Sequence, residues 1–197
     1  MKAIKEARGR TLAEAGELRQ KVEEIIRTVR EAGDGALLAF GRRFEDSPRT
    51  EVRVSNEEIE AAYGEVSEEE IAMLRKAADH IRLFAEAQRA LFVPLEGVSP
   101  MEGVTLGHRV LPVDACCCYV PGGGFPLYST ALMLGIPAKV AGVKELIMVV
   151  PTPDGEHNQL VLAAACLAGV DRVFTMGGAQ AVGALAYGTQ TVPQVDK

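Results

Sequence analysis

The chain has 197 residues, 48% of them hydrophobic and 24% charged, with a formal net charge of -6. These are the proportions of an ordinary globular protein long enough to bury a core of its own. The acidic balance gives no basic footprint for a polyphosphate backbone, which argues against nucleic acid as a partner. No apolar run reaches the roughly 18 to 20 residues of a membrane span, and the start lacks the apolar middle of a secretory signal. The expectation is a cytoplasmic protein that does not engage a membrane.

Charge is unevenly distributed. Residues 1–114 carry 22 acidic and 17 basic side chains, whereas residues 115–197 carry only 5 and 4. The second half therefore reads as mostly interior.

In the first half, Ala15, Leu18, Val22, Ile25 and Val29 recur at helical spacing and Gly33 follows as a stop, which predicts a helix from Leu12 to Ala32. Another short helix begins over Asp34 to Phe40. Ser55-Asn-Glu-Glu58 and Ser67-Glu-Glu-Glu70 each match a capping box, in which a hydroxyl and a glutamate satisfy each other's exposed amides. These glutamates read as caps rather than catalysts. The second box opens a long helix with Ile71, Leu74, Ala78, Ile81 and Phe84 on one face. Pro94, Gly97, Pro100 and Gly103 mark a loop, and Val104 to Pro112 then reads as one or two short strands. A boundary near residue 100 separates a helical region, 1–100, from a second domain, 101–197.

From there the predicted order is strand Ala115–Val120, helix Leu127–Ala141, strand Glu145–Val150, helix His157–Ala168, strand Asp171–Met176 and helix Ala179–Tyr187. Continuous apolar strands alternating with helices indicate an α/β fold, a doubly wound, mostly parallel sheet covered on both faces. Cys116, Cys117 and Cys118 are consecutive in a strand, so neighbours face opposite ways and fit neither a disulfide framework nor a usual zinc spacing. They read as small buried hydrophobes. A thiolate nucleophile among them would lack a neighbouring base or helix N-terminus to lower its pKa.

Two glycine turns follow strands and open helices, Tyr119-Val-Pro-Gly-Gly-Gly124 and Met176-Gly-Gly178. They lie at the carboxyl ends of parallel strands, where ligands bind in open α/β sheets and helix N-termini offer unpaired amides. Neither spells G-x-G-x-x-G, and no acidic residue about 20 positions on clearly ends a second strand to hold a ribose. By themselves the glycines admit a nucleotide, another anion, or tight structural turns. Tyr119, Tyr128, Ser129, Thr130 and Gln180 add polar groups able to orient a ligand by hydrogen bonding. His80, His108 and His157 read as surface or structural residues, and no second-half residue stands out as an acid, base or metal ligand.

The segments Tyr119-Val-Pro-Gly-Gly, Leu127-Tyr-Ser-Thr-Ala-Leu-Met, Pro137-Ala-Lys-Val-Ala-Gly-Val, Gly177-Gly-Ala-Gln-Ala and Tyr187-Gly-Thr-Gln-Thr-Val-Pro-Gln-Val-Asp-Lys197 resemble successive motifs of the histidinol dehydrogenase family. Val29-Arg-Glu-Ala-Gly-Asp-Gly-Ala-Leu37 fits the same family upstream. The resemblance implies an incomplete Rossmann-like domain from an enzyme that oxidises L-histidinol through the aldehyde to L-histidine, using NAD twice and one zinc ion, at the end of histidine biosynthesis. It places cofactor contacts on Tyr119 and Gln180, with Gly122, Gly123 and Gly124 adjacent.

The same resemblance implies a homodimer whose sites are completed by the partner chain. It also puts the zinc ligands and the acid–base Glu-His pair beyond Lys197, so the 197 residues are expected to be the amino-terminal half of a longer dehydrogenase and inactive alone. Gly124-Phe125 departs from the family pattern, and related branches act on other polar alcohols, including sulfonated diols. A non-catalytic nucleotide-binding module is the reading from a different class.

Overall fold

A computed structural model of the chain describes residues 12–122 and 125–197. Its centre is a parallel sheet of three strands, β3 (Ala115–Tyr119), β4 (Glu145–Val149) and β5 (Arg172–Phe174), in the order β3-β4-β5. The register runs from Ala115 opposite Glu145 to Tyr119 opposite Val149, and from Ile147 opposite Arg172 to Val149 opposite Phe174.

Alternation along the strands divides the interior into two cores. Cys118, Leu146, Met148 and Val173 face one core with α5 (Tyr128–Ala141), α6 (Gln159–Ala168) and parts of α3 (Asn56–Glu65) and α4 (Glu68–Arg89). Ile147, Val149 and Phe174 face the other, with α7 (Gly178–Tyr187), α1 (Leu12–Ala32) and α2 (Asp34–Glu45). Both faces are therefore covered and the doubly wound expectation holds. The first-half helices contribute to both cores, because their apolar stripes have no other sheet to cover.

Winding reverses after β5. Helices α5 and α6 pack on each other on one face, whereas α7 packs against α1 on the other. The chain then returns to the free edge of β3, where the Asp196 N–H donates to the Ala115 carbonyl at 3.0 Å and the Cys117 N–H donates to that of Lys197 at 2.8 Å. The outer edge of β5 is met by residues 52–54, with Arg53 bridging Phe174 in antiparallel sense.

Both predicted capping boxes form: Ser55 accepts from the Glu58 amide and Ser67 from that of Glu70, with each glutamate reaching back. The stretch expected as a loop from Pro94 to Gly103 is instead strand β1 (Leu95–Met101), paired antiparallel with β2 (Val104–His108). Gly97, at φ 74°, and Pro100 sit in register shifts and Gly103, at φ 78°, in the turn to β2, so they bend a hairpin rather than interrupt it. Residue 100 lies inside β1. Helix α6 starts two residues later than expected, because Asn158 caps it by accepting from the Val161 amide. Of the cysteines only Cys118 is buried; Cys116 and Cys117 are half-buried and Cys166 is exposed.

Candidate ligand site at the carboxyl ends of the sheet

Three turns leave the carboxyl ends of β3, β4 and β5, and one proline holds them together. A Cβ on Gly122, after β3, would stand 2.6 Å from the Pro151 carbonyl oxygen. A Cβ on Gly177, after β5, would stand 2.6 Å from Pro151 Cγ. Pro151, after β4, is thus wedged between two positions where any side chain would collide. This gives Gly122 a packing role of its own. Gly123 and Gly124 lie outside the described residues.

Tyr119 ends β3 about one-third exposed, and its Oη accepts from the Gly178 N–H at 2.9 Å. Gly178 opens α7 at φ 62°, a backbone region that L side chains rarely enter. Gln180 is buried, with its Oε1 2.8 Å from where a Cβ on Gly178 would lie. The two residues expected to contact a cofactor, 61 positions apart in the chain, therefore meet around one glycine. Helix α5, preceded by Leu127, has no side-chain cap, whereas the first amide of α7 is taken by the Tyr119 hydroxyl. The first-turn amides and positive dipole end of α5 suit an anion such as a diphosphate.

Glu45, the last residue of α2, also reaches this edge. Its Oε2 accepts from the Thr152 N–H at 3.0 Å, and its Oε1 lies 3.3 Å from where a Cβ on Gly177 would be. Burial pushes its carboxyl upward, and the Thr152 amide opposes that shift. Local sequence carries no signal for this placement, which depends on the tertiary packing of α2.

Beside the wedge is a cavity of about 130 Å³ lined by Pro121, Gly122, Leu127, Thr152, His157 and Val161 among others. Two of its lining residues each carry a polar atom, Thr152 Oγ1 and His157 Nδ1, that is buried without a hydrogen-bond partner among the described residues. His157 Nε2 lies 2.9 Å from Arg49 Nη1, and a guanidinium can only donate, so Nε2 accepts and the ring proton sits on Nδ1. Burial, then the Arg49 charge, lowers the His157 pKa against the opposing pull of Glu58. His157 is therefore a neutral, half-structural residue, more enclosed than its loop position suggested. His80 and His108 are exposed as expected.

A hydroxyl, an amide, one uncapped helix start and a carboxylate can bind and orient a polar ligand. Among the described residues, no three of His, Cys, Asp and Glu stand close enough to share a metal ion. Burial raises the Cys116 thiol and pushes Cys117 and Cys118 up to about 12, which removes them as nucleophiles.

A family model described as histidinol dehydrogenase matches residues 8–197. The histidinol dehydrogenase of Aromatoleum aromaticum is 53% identical over 181 residues, covering 89% of this chain and 40% of its own length. That of Dechloromonas aromatica is 52% identical over 178 residues, covering 88% and 40%. The crystal structure of histidinol dehydrogenase from Elizabethkingia anophelis superposes with a TM-score of 0.85 at 32% identity, over 98% of this chain and 42% of that one. The chain thus spans about two fifths of the length of these relatives.

Proposed function

The chain belongs to the histidinol dehydrogenase family, and from that premise we propose that it forms the NAD-binding part of an enzyme that oxidises L-histidinol to L-histidine through the aldehyde. The observation that carries this reading is the meeting of Tyr119 and Gln180 at Gly178, on the ligand-binding edge of a doubly wound sheet. When bound, NAD supplies the hydride acceptor. Tyr119 and Gln180 would orient it, and the uncapped start of α5 would face its phosphates.

The described residues do not form a zinc site, so zinc in this proposal belongs to the whole dehydrogenase and no step is assigned to it. In this reading the metal and the acid–base pair belong to the rest of the dehydrogenase, so the 197 residues would bind cofactor without turning over histidinol. A cytoplasmic homodimer, and a division near residue 100 between a helical region and the cofactor-binding domain, belong to the same reading.

Calorimetric titration of NAD into the chain tests it, beside a Tyr119→Phe, Gln180→Ala double variant. Saturable binding that weakens about tenfold or more in the variant supports the proposal, as expected for two lost polar contacts of roughly 1 kcal/mol each. Equal binding by both proteins would move the cofactor elsewhere.

A further inference from the structure

Dinucleotide-binding sheets commonly keep an acid at the end of their second strand, where it accepts from the hydroxyls of the adenosine ribose. Strand β4 continues through Val150, Pro151 and Thr152 with no acidic residue. The fold brings a carboxylate to that place from another element. Glu45 binds the Thr152 N–H with one oxygen and sets the other beside Gly177, the turn that leads to Gly178 and its partners Tyr119 and Gln180.

We propose that Glu45 accepts from the ribose hydroxyls of the dinucleotide and that its charge excludes a 2′-phosphate, making it the residue that selects NAD over NADP. This rests on the dinucleotide reading above and adds the specificity of the same site.

The carboxylate is held for this task. Helix α2 is anchored through buried Ala36, Leu37 and Phe40, and its end is closed by Asp46 in the left-handed region, after which the Ser47 N–H donates to the Gly41 carbonyl. The bond to Thr152 holds Oε2, with Oε1 toward the turn. A site built for a 2′-phosphate would place an arginine there, whereas Glu45 forms no ion pair among the described residues.

Calorimetry at pH 8 with NAD and NADP, on the chain and on Glu45→Gln, provides the test. Glutamine keeps an oxygen for the Thr152 amide and removes only the charge. The unmodified chain is expected to bind NAD at least about tenfold more tightly than NADP, and the variant to bring the two within about threefold, since hydrogen bonds to a charged group and like-charge exclusion each act on this scale. A preference unchanged in the variant overturns the assignment while leaving NAD binding intact. No NAD binding by the unmodified chain overturns the dinucleotide reading and this inference with it. Should the variant fail to fold, ADP-ribose and its 2′-deoxyadenosine analogue decide the matter on the unmodified chain. About tenfold weaker binding of the deoxy compound supports a ribose acceptor, and equal affinity refutes it.

Discussion

The wedge at Pro151 makes a quantitative prediction. Gly177 has φ -140° and ψ -171°, extended backbone that alanine adopts without strain, so Gly177→Ala reports only on space. Its new methyl would lie 2.6 Å from Pro151 Cγ and 3.1 Å from Pro151 Cβ, against the roughly 3.5–4.0 Å of a relaxed carbon contact. Overpacking of this kind costs about 1–3 kcal/mol, which in a chain of this size lowers Tm by roughly 2–10 °C. Pro151→Ala removes Cγ but keeps Cβ, so it should return part of the loss, giving a coupling of about 1 kcal/mol in the double-mutant cycle. Gly122→Ala supplies the control. Its nearest obstacle is the Pro151 carbonyl oxygen at 2.6 Å, a backbone atom that Pro151→Ala leaves in place, so rescue there should be much smaller. Thermal unfolding followed by circular dichroism on the three single and two double variants measures both cycles. A Gly177→Ala protein that melts with the unmodified chain, or equal rescue at both glycines, would refute the wedge.

The Arg49–Glu58 pair should leave its mark on the acid limb of stability. Hydrogen bonding from Arg49, with help from the Ser55 amide, lowers the Glu58 carboxyl from 4.5 to about 2. A depressed folded pKa contributes stability that is full above the unfolded value and lost as pH falls through the folded one. Glu58→Gln should therefore be less stable than the unmodified chain at pH 6, with the gap in urea midpoint closing between pH 4.5 and 2; a gap independent of pH would exclude this origin. The cysteines should separate by reactivity at pH 8. Exposed Cys166 should alkylate first, whereas Cys117 and Cys118, pushed up to about 12, should react only on unfolding. Mass mapping after timed iodoacetamide treatment distinguishes this order from uniform labelling.

Local chemistry made much of the fold legible. Ser55 and Ser67 announce helix starts because a capping box is complete within four residues, and the apolar runs of β3, β4 and β5 announce a buried parallel sheet. Tyr119 and Gln180 stand out as polar residues of the two glycine turns, the family motifs mark them as cofactor contacts, and the structure adds that they meet at Gly178. Strand β1 was hidden because Gly97 and Pro100 punctuate bulged hairpins and loops alike. Glu45 and Pro151 were hidden for a different reason: each acts through a contact with a turn distant in sequence, and no periodicity encodes such a contact.

The way β5 is supported explains why the first-half helices reach the ligand edge at all. A three-residue strand with an open side would expose unpaired amides and carbonyls. Residues 52–54 cover them: the Thr175 N–H donates to the Val52 carbonyl at 2.7 Å, the Thr175 hydroxyl donates to the same oxygen, and the Val54 N–H donates to Val173. Thr175 precedes the Met176-Gly177-Gly178 turn by one residue, so this pairing sets where the turn begins. Only residues 46–51 separate the covering segment from Glu45, which ties down Thr152 across the wedge. The turn that carries Gly178 is thereby held from both sides by one short piece of the N-terminal region. A shift of α2 would move the edge pairing of β5 and the Glu45 contact together, which makes the end of that helix a structural part of the candidate ligand site.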